Sequence, residues 1–170
     1  NMAKIKVVKV LSPEEKQHIR KTYSETLINM LSPNSSNPKD FVFYGYMATA
    51  FNLNIIEGNS IAGVNYKNGR INIYIGPNFT QINIKQRIAI IIHEVHHVIC
   101  KHFGRMQSRE PKRWNYACDF AINQKIEDIP EWALHVKDFN LPPGYHSEAY
   151  YDLVDDKMME QVSDSGGDLF

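Results

Sequence analysis

Cysteine is scarce in this chain: Cys100 and Cys118 are the only two among 170 residues. Two thiols cannot build the disulfide framework of a small secreted domain. The N-terminal stretch also lacks the basic-then-apolar pattern of a secretory signal, so the expected setting is the reducing cytoplasm. Long apolar runs are missing too. A membrane span needs roughly 18 to 20 apolar residues, whereas the aliphatic run Ile88–Ile92 is stopped at once by His93 and Glu94. No membrane association is expected. Neither sign of charge is in excess, because nineteen Lys and Arg balance nineteen Asp and Glu. A nucleic-acid partner would call for a basic excess or stripe, and none is expected here. What the chain does have is 43% hydrophobic and 22% charged residues, a composition that folds rather than stays disordered. Its length suits one domain with a sizeable core.

The punctuation of the sequence divides that domain into elements. Ser12-Pro13-Glu14-Glu15 is a helix start, with a hydroxyl cap, proline at the first helical position and acids in the first turn. Ile19, Tyr23, Leu27 and Met30 then recur at helical spacing as far as Leu31. Residues 32–38 are a loop by composition, and the apolar stretch from Phe41 to Phe51 is either helical or irregular. Three short β-rich segments follow, Leu53–Glu57, Ile61–Tyr66 and Ile71–Ile75, the last two joined by the hairpin dipeptide Asn68-Gly69. Asn83 caps a helix expected to run from Ile84 to about Phe103, with Gly104 as its stop. Another helix is expected from about Lys112 to Asp128, ahead of Pro130, and a short one from Ser147 to Val154. The expected architecture is α+β, with a small, mainly antiparallel sheet of about three strands packed on helices. The domain is expected to run from Met2 to Asp155, and residues 156–170 to form a flexible tail or the start of a linker.

Chemistry concentrates in His93-Glu94-Val95-His96-His97. Residues four apart on a helix lie about 40° from one another and about 6 Å along the axis, so His93 and His97 can offer two imidazoles to one ion. Zinc accepts neutral imidazole nitrogen and leaves a position for water. Glu94, beside the first histidine, stands where a carboxylate can take a proton from that water. The alternative is a helix whose histidines are ordinary surface or core residues. Against it, the isoleucines and Val95 around the cluster make this a buried helix, where imidazoles without a ligand would leave polar atoms unsatisfied. His96 is a weaker partner for His93, because that pair leaves Glu94 without its usual relation to the metal. His102 falls nearly opposite His97 on a continuous helix and is expected to be structural or exposed. Cys100 is about 10 Å along the axis from His93 and reads as a packed thiol.

A third ligand must come from elsewhere. Asn115, Asp119 and Asn123 are spaced four apart on the next helix and form one polar stripe, beside small residues that permit close helix packing. Asp119 is the candidate, either as a direct ligand or as an acceptor for the free ring N–H of a ligand histidine. Asn115 and Asn123 would then hold its carboxylate, and Glu127, Glu131 and Glu148 are the acids to consider if Asp119 is elsewhere. Tyr151 and His146, with Tyr145 and Tyr150 nearby, are candidates for stabilising a developing oxyanion.

The succession of a hairpin, His93-Glu94-x-x-His97-x-x-x-x-His102, Arg105 and Trp114-Asn115-x-Ala117-x-Asp119-x-x-x-Asn123 resembles the putative metallopeptidase domain found ahead of von Willebrand factor A-like domains in bacterial and phage proteins. The resemblance covers roughly Tyr44 to Val154. It implies a zincin-like fold and a zinc site in which His93, His97 and Asp119 are ligands and Glu94 is the catalytic acid/base. A von Willebrand factor A-like domain missing from this chain is the partner it implies. The expected function is a zinc-dependent peptidase acting on peptides or proteins, with Glu94 as general base toward metal-activated water. The alternative is a metal-stabilised regulatory or protein-interaction module that does not cleave.

Overall fold

A computed structural model describes residues 10–32 and 36–164. The expected boundary at Met2, the middle of the 32–38 loop and the Gly166-Gly167 end lie outside the described residues. The architecture is α+β, with seven α-helices and three strands among the described residues. Helix α1 is Pro13–Leu31, and its start is the predicted one: the Ser12 side chain accepts from the Glu15 backbone and Glu15 returns a bond to the Ser12 N–H. The undecided apolar stretch is helical, forming α2 at Asp40–Thr49.

Strands β1 (Asn52–Ile55), β2 (Ala62–Lys67) and β3 (Arg70–Ile75) lie in the order β1-β3-β2. Asn68 and Gly69 both have positive φ, 54° and 73°, the pairing that matches the natural twist of a two-residue hairpin. The sheet is mixed rather than mainly antiparallel, because β1 runs parallel to β3 while β2 runs antiparallel to it. The reason is positional: β1 does not pair with the strand that follows it but crosses to the far side of β3. Thus β3 is central, and β1 and β2 are the edges. Period-2 alternation sorts the faces, with Ile73 and Ile75 fully buried. On the other face Asn52 donates to Asn72 at 2.9 Å and Asn72 to Asn65 at 3.1 Å, a polar rung across all three strands.

Gly76 closes β3 where no side chain fits. Its N–H bonds the Ile61 carbonyl at 2.9 Å, and a Cβ built there would lie 1.9 Å from the Ser60 carbonyl oxygen. Gly76→Ala should therefore cost about 1–3 kcal/mol, as overpacking against backbone does. Urea denaturation checks this, and an unchanged midpoint would show that the neighbouring chain yields freely.

A 3₁₀ turn at Pro77–Gln81 leads to α3 (Ile84–Ile99), capped reciprocally by Asn83 and Gln86. Every residue from Ile88 to Val95 is buried, so α3 is a core helix on all sides. It ends earlier than Gly104 predicts. Lys101 takes the left-handed conformation at φ 54°, and Gly104 falls inside a further short helix, α4 (His102–Arg105). A non-glycine residue there costs about 1–2 kcal/mol. The break tucks His102 under the Trp114 ring and lets Trp114 Nε1–H donate to the His102 carbonyl at 2.9 Å, which offsets that cost.

Helix α5 (Pro111–Asn123) starts at the Glu110 cap and stops five residues before the expected end. At its end the buried Asn123 amide donates to the Leu134 carbonyl at 2.9 Å. After a 3₁₀ turn at Val136–Phe139 come α6 (Ser147–Leu153) and α7 (Asp156–Asp164). The segment expected as a tail is thus helical to Asp164, and its Val162 is buried against the second core. Two hydrophobic clusters result. One joins α1, α2, the sheet and α3; the other joins α5, α6 and α7. The chemistry-bearing residues lie at the seam, where α3 meets α5. No helix among the described residues is long and apolar enough to cross a membrane.

Candidate metal centre

Helix α3 is unbroken across the motif, so the four-residue spacing does what helical geometry requires. The Nε2 atoms of His93 and His97 face one another at 3.0 Å. From α5, Asp119 Oδ1 comes within 3.3 Å of His93 Nε2 and 3.2 Å of His97 Nε2. All three residues are buried, and their ligating atoms lie within 4.8 Å of one another. Glu94 is buried beside them at 1% exposure.

Hydrogen bonding fixes the orientation of the first ring. Asn123 commits its amide N–H to Leu134, so its Oδ1 faces His93 as an acceptor, and His93 Nδ1–H donates to it at 2.7 Å. The lone pair of His93 is left on Nε2, pointing at His97 and Asp119. A buried lone pair facing a second imidazole and a carboxylate calls for a positive charge between them. The titration behaviour points the same way. Burial opposes a charged imidazole, yet the Asp119 and Glu94 carboxylates outweigh it and raise the proton affinity of His93. Burial likewise pushes Asp119 up, but the two imidazoles prevail and hold it below the usual carboxylate range.

The donor set fits a metal ion. Two nitrogens and an oxygen bound tetrahedrally at roughly 2.0–2.1 Å would be about 3.3 Å apart. The three separations of 3.0, 3.2 and 3.3 Å are close to that value. Asp119 Oδ1 also has no hydrogen bond of acceptable geometry, nor has Glu94 Oε1, although both atoms are buried. Such orphans are rare in folded proteins, and an ion or water held between these groups would satisfy them.

The other candidates are distributed unevenly. Asn123 is in the centre, but it holds the His93 ring and not the Asp119 carboxylate. Asn115 lines a small cleft with Glu94 and His97. His96 turns away, stacks on Tyr44 and bonds the Ile92 carbonyl at 2.9 Å. Tyr151 is engaged elsewhere, its hydroxyl accepting from the Glu110 N–H at 2.9 Å and its ring packed near Trp114. His146 caps α6 and is paired with Glu148. Tyr150 donates its hydroxyl to the Pro142 carbonyl, and Tyr145 is exposed. Of the reserve acids, Glu127 and Glu131 are exposed and Glu148 is clasped by Arg105 through two hydrogen bonds. The residue the sequence misplaces is His102, which is 4% exposed with its Nδ1 3.1 Å from His97 Nδ1. Only the left-handed Lys101 makes this contact possible, and no glycine signals that break.

The cleft measures about 110 Å³ and is lined by Gly63 and Val64 of β2, Glu94 and His97 of α3, Phe103 of α4 and Asn115 of α5. A larger cavity of about 230 Å³ lies on the other side of α3, against Tyr44, Lys85, His96 and Lys125. It touches none of the three converging ligand atoms, so the chemistry belongs to the smaller space.

Comparison with curated proteins and with solved structures finds no match. The profile of the family described as a putative metallopeptidase domain does match, over residues 44–168. That span is well over half of the chain and contains every residue of the His93, His97 and Asp119 centre, and the chain belongs to this family.

Proposed function

We propose that the chain is a zinc-dependent peptidase of zincin-like fold, hydrolysing peptide bonds with Glu94 as general base. The observation that carries this reading is the convergence of two imidazole nitrogens and one carboxylate oxygen in a buried space, beside a carboxylate that lacks a hydrogen bond. Zinc held by His93, His97 and Asp119 would supply a Lewis acid that polarises a carbonyl and lowers the pKa of water.

The chain's own residues supply the rest. Burial raises the proton affinity of Glu94, opposed by His93 and His97. A carboxylate raised in this way is a better acceptor near neutral pH, and can pass its proton on to a leaving amine. Strand β2 is an edge, and its Gly63 and Val64 border the cleft above Glu94. An extended peptide can add to that edge through main-chain hydrogen bonds. Asn115 is the neutral side chain of the cleft that offers N–H donors to a developing oxyanion. Both cysteines are free, which supports a reducing, cytoplasmic setting.

The test is hydrolysis of a mixed peptide library by the zinc-loaded protein, read as new N-termini, with and without chelator. Cleavage that a chelator stops and zinc restores is expected. Stoichiometric zinc binding without any cleavage would favour the non-catalytic, metal-stabilised module.

A further inference from the structure

Resting on the reading of His93, His97 and Asp119 as a metal centre, we infer that His102 and Ser147 together are the positioning device for His97. The contact chain is continuous. His97 Nδ1 lies 3.1 Å from His102 Nδ1, and His102 Nε2 lies 3.1 Å from the Ser147 hydroxyl oxygen. All of these side chains are buried, with His102 and Ser147 at 4% and 2% exposure.

Donor and acceptor logic then assigns every proton. His97 must keep its Nε2 lone pair for the space it shares with His93 and Asp119, so its proton is on Nδ1 and it donates to His102. His102 accepts on Nδ1 and therefore carries its own proton on Nε2, which it donates to Ser147 Oγ. Reversing any one of these protons sets two donors or two lone pairs against each other in a buried space, which costs about 1–3 kcal/mol per unsatisfied group. The ring of His97 is thereby locked in both tautomer and orientation. His93 has an analogous but independent lock in Asn123.

The two locks share a chemical property. Ligand histidines commonly donate their second N–H to a carboxylate, backbone carbonyl or water, and a carboxylate makes the imidazole a stronger base. Here one acceptor is an amide and the other a neutral imidazole. Asp119 is the carboxylate that approaches both imidazole Nε2 atoms. The locks orient the rings without adding negative charge behind them.

Two readouts test this. In the zinc-loaded protein, two-bond ¹H–¹⁵N spectra should show His97 protonated at Nδ1, with its Nε2 unprotonated, and His102 protonated at Nε2. A zinc-bound His97 that lacks a proton on Nδ1, or a His102 protonated on Nδ1, overturns the inference. In the second, zinc affinity is measured by competition with a chromogenic chelator. His102→Phe keeps a ring against Trp114 but removes the acceptor, and should bind zinc about 10- to 100-fold more weakly. His102→Asn places Oδ1 where Nδ1 was and should recover most of that loss, which a purely packing role would not produce. Equal affinity in wild type and His102→Phe overturns the inference. Wild-type protein that binds no zinc overturns the metal reading, whereas zinc bound with a different His97 or His102 tautomer overturns this inference alone.

Discussion

Glu94→Gln is expected to lower peptide hydrolysis by about 10²- to 10⁴-fold, the range general acid–base groups contribute, while leaving zinc content unchanged. The substitution keeps the volume of a fully buried side chain and removes only its capacity to accept a proton. Glu94 is not among the three converging ligand atoms, so the metal ligands stay in place. Its carboxyl also lacks a hydrogen bond at Oε1, so no structural partner is lost there. The fold should in fact tolerate the change well. A buried carboxylate pays for desolvation that an amide does not, and burial is the main reason Glu94 has its raised proton affinity. The expected pattern is therefore inactive protein with equal or greater thermal stability. It is checked by measuring turnover, metal content and melting temperature on one preparation. Equal residual hydrolysis in wild type and Glu94→Gln would exclude Glu94 as the base.

Asp119→Ala is expected to lower zinc affinity by more than about 100-fold, beyond the loss that removing an outer hydrogen-bond partner produces. Catalytic zinc sites hold three protein ligands, and two imidazoles on one helix make an incomplete set. The reserve acids are not placed to substitute, since Glu127 and Glu131 are exposed and Glu148 is held by Arg105. The consequence is also visible in stability. Zinc at 100 times its dissociation constant stabilises the folded state by about 2.7 kcal/mol, so wild type should melt higher with zinc than with chelator. Asp119→Ala should show little of that difference. A full zinc-dependent shift in the variant would remove Asp119 from the ligand set.

Much of this was legible in the residues. The His93 and His97 pair follows from a period of 3.6 in an uninterrupted helix, and the structure keeps that helix whole across the motif. The position of Asp119 follows from the polar stripe it forms with Asn115 and Asn123, beside a face of small residues that lets the helices approach. The Ser12 and Asn83 caps and the Asn68-Gly69 turn are local, and local chemistry decides them. What sequence did not reveal depends on contacts between distant residues. Lys101 breaks α3 because His102 gains burial against Trp114, twelve residues further on. Asn123, the last residue of α5, holds His93 and Leu134, so its partner is a histidine where a carboxylate was expected. The parallel pairing of β1 with β3 is likewise invisible in alternation, which records which face is buried and not which strand is adjacent.

The central claim is that one zinc ion is held by His93, His97 and Asp119. Anomalous X-ray diffraction above and below the zinc edge, on crystals of the zinc-loaded protein, tests it most directly. One strong peak per chain is predicted, roughly 2.0–2.2 Å from His93 Nε2, His97 Nε2 and an Asp119 oxygen. No peak in that space, or a peak ligated by other residues, would contradict it.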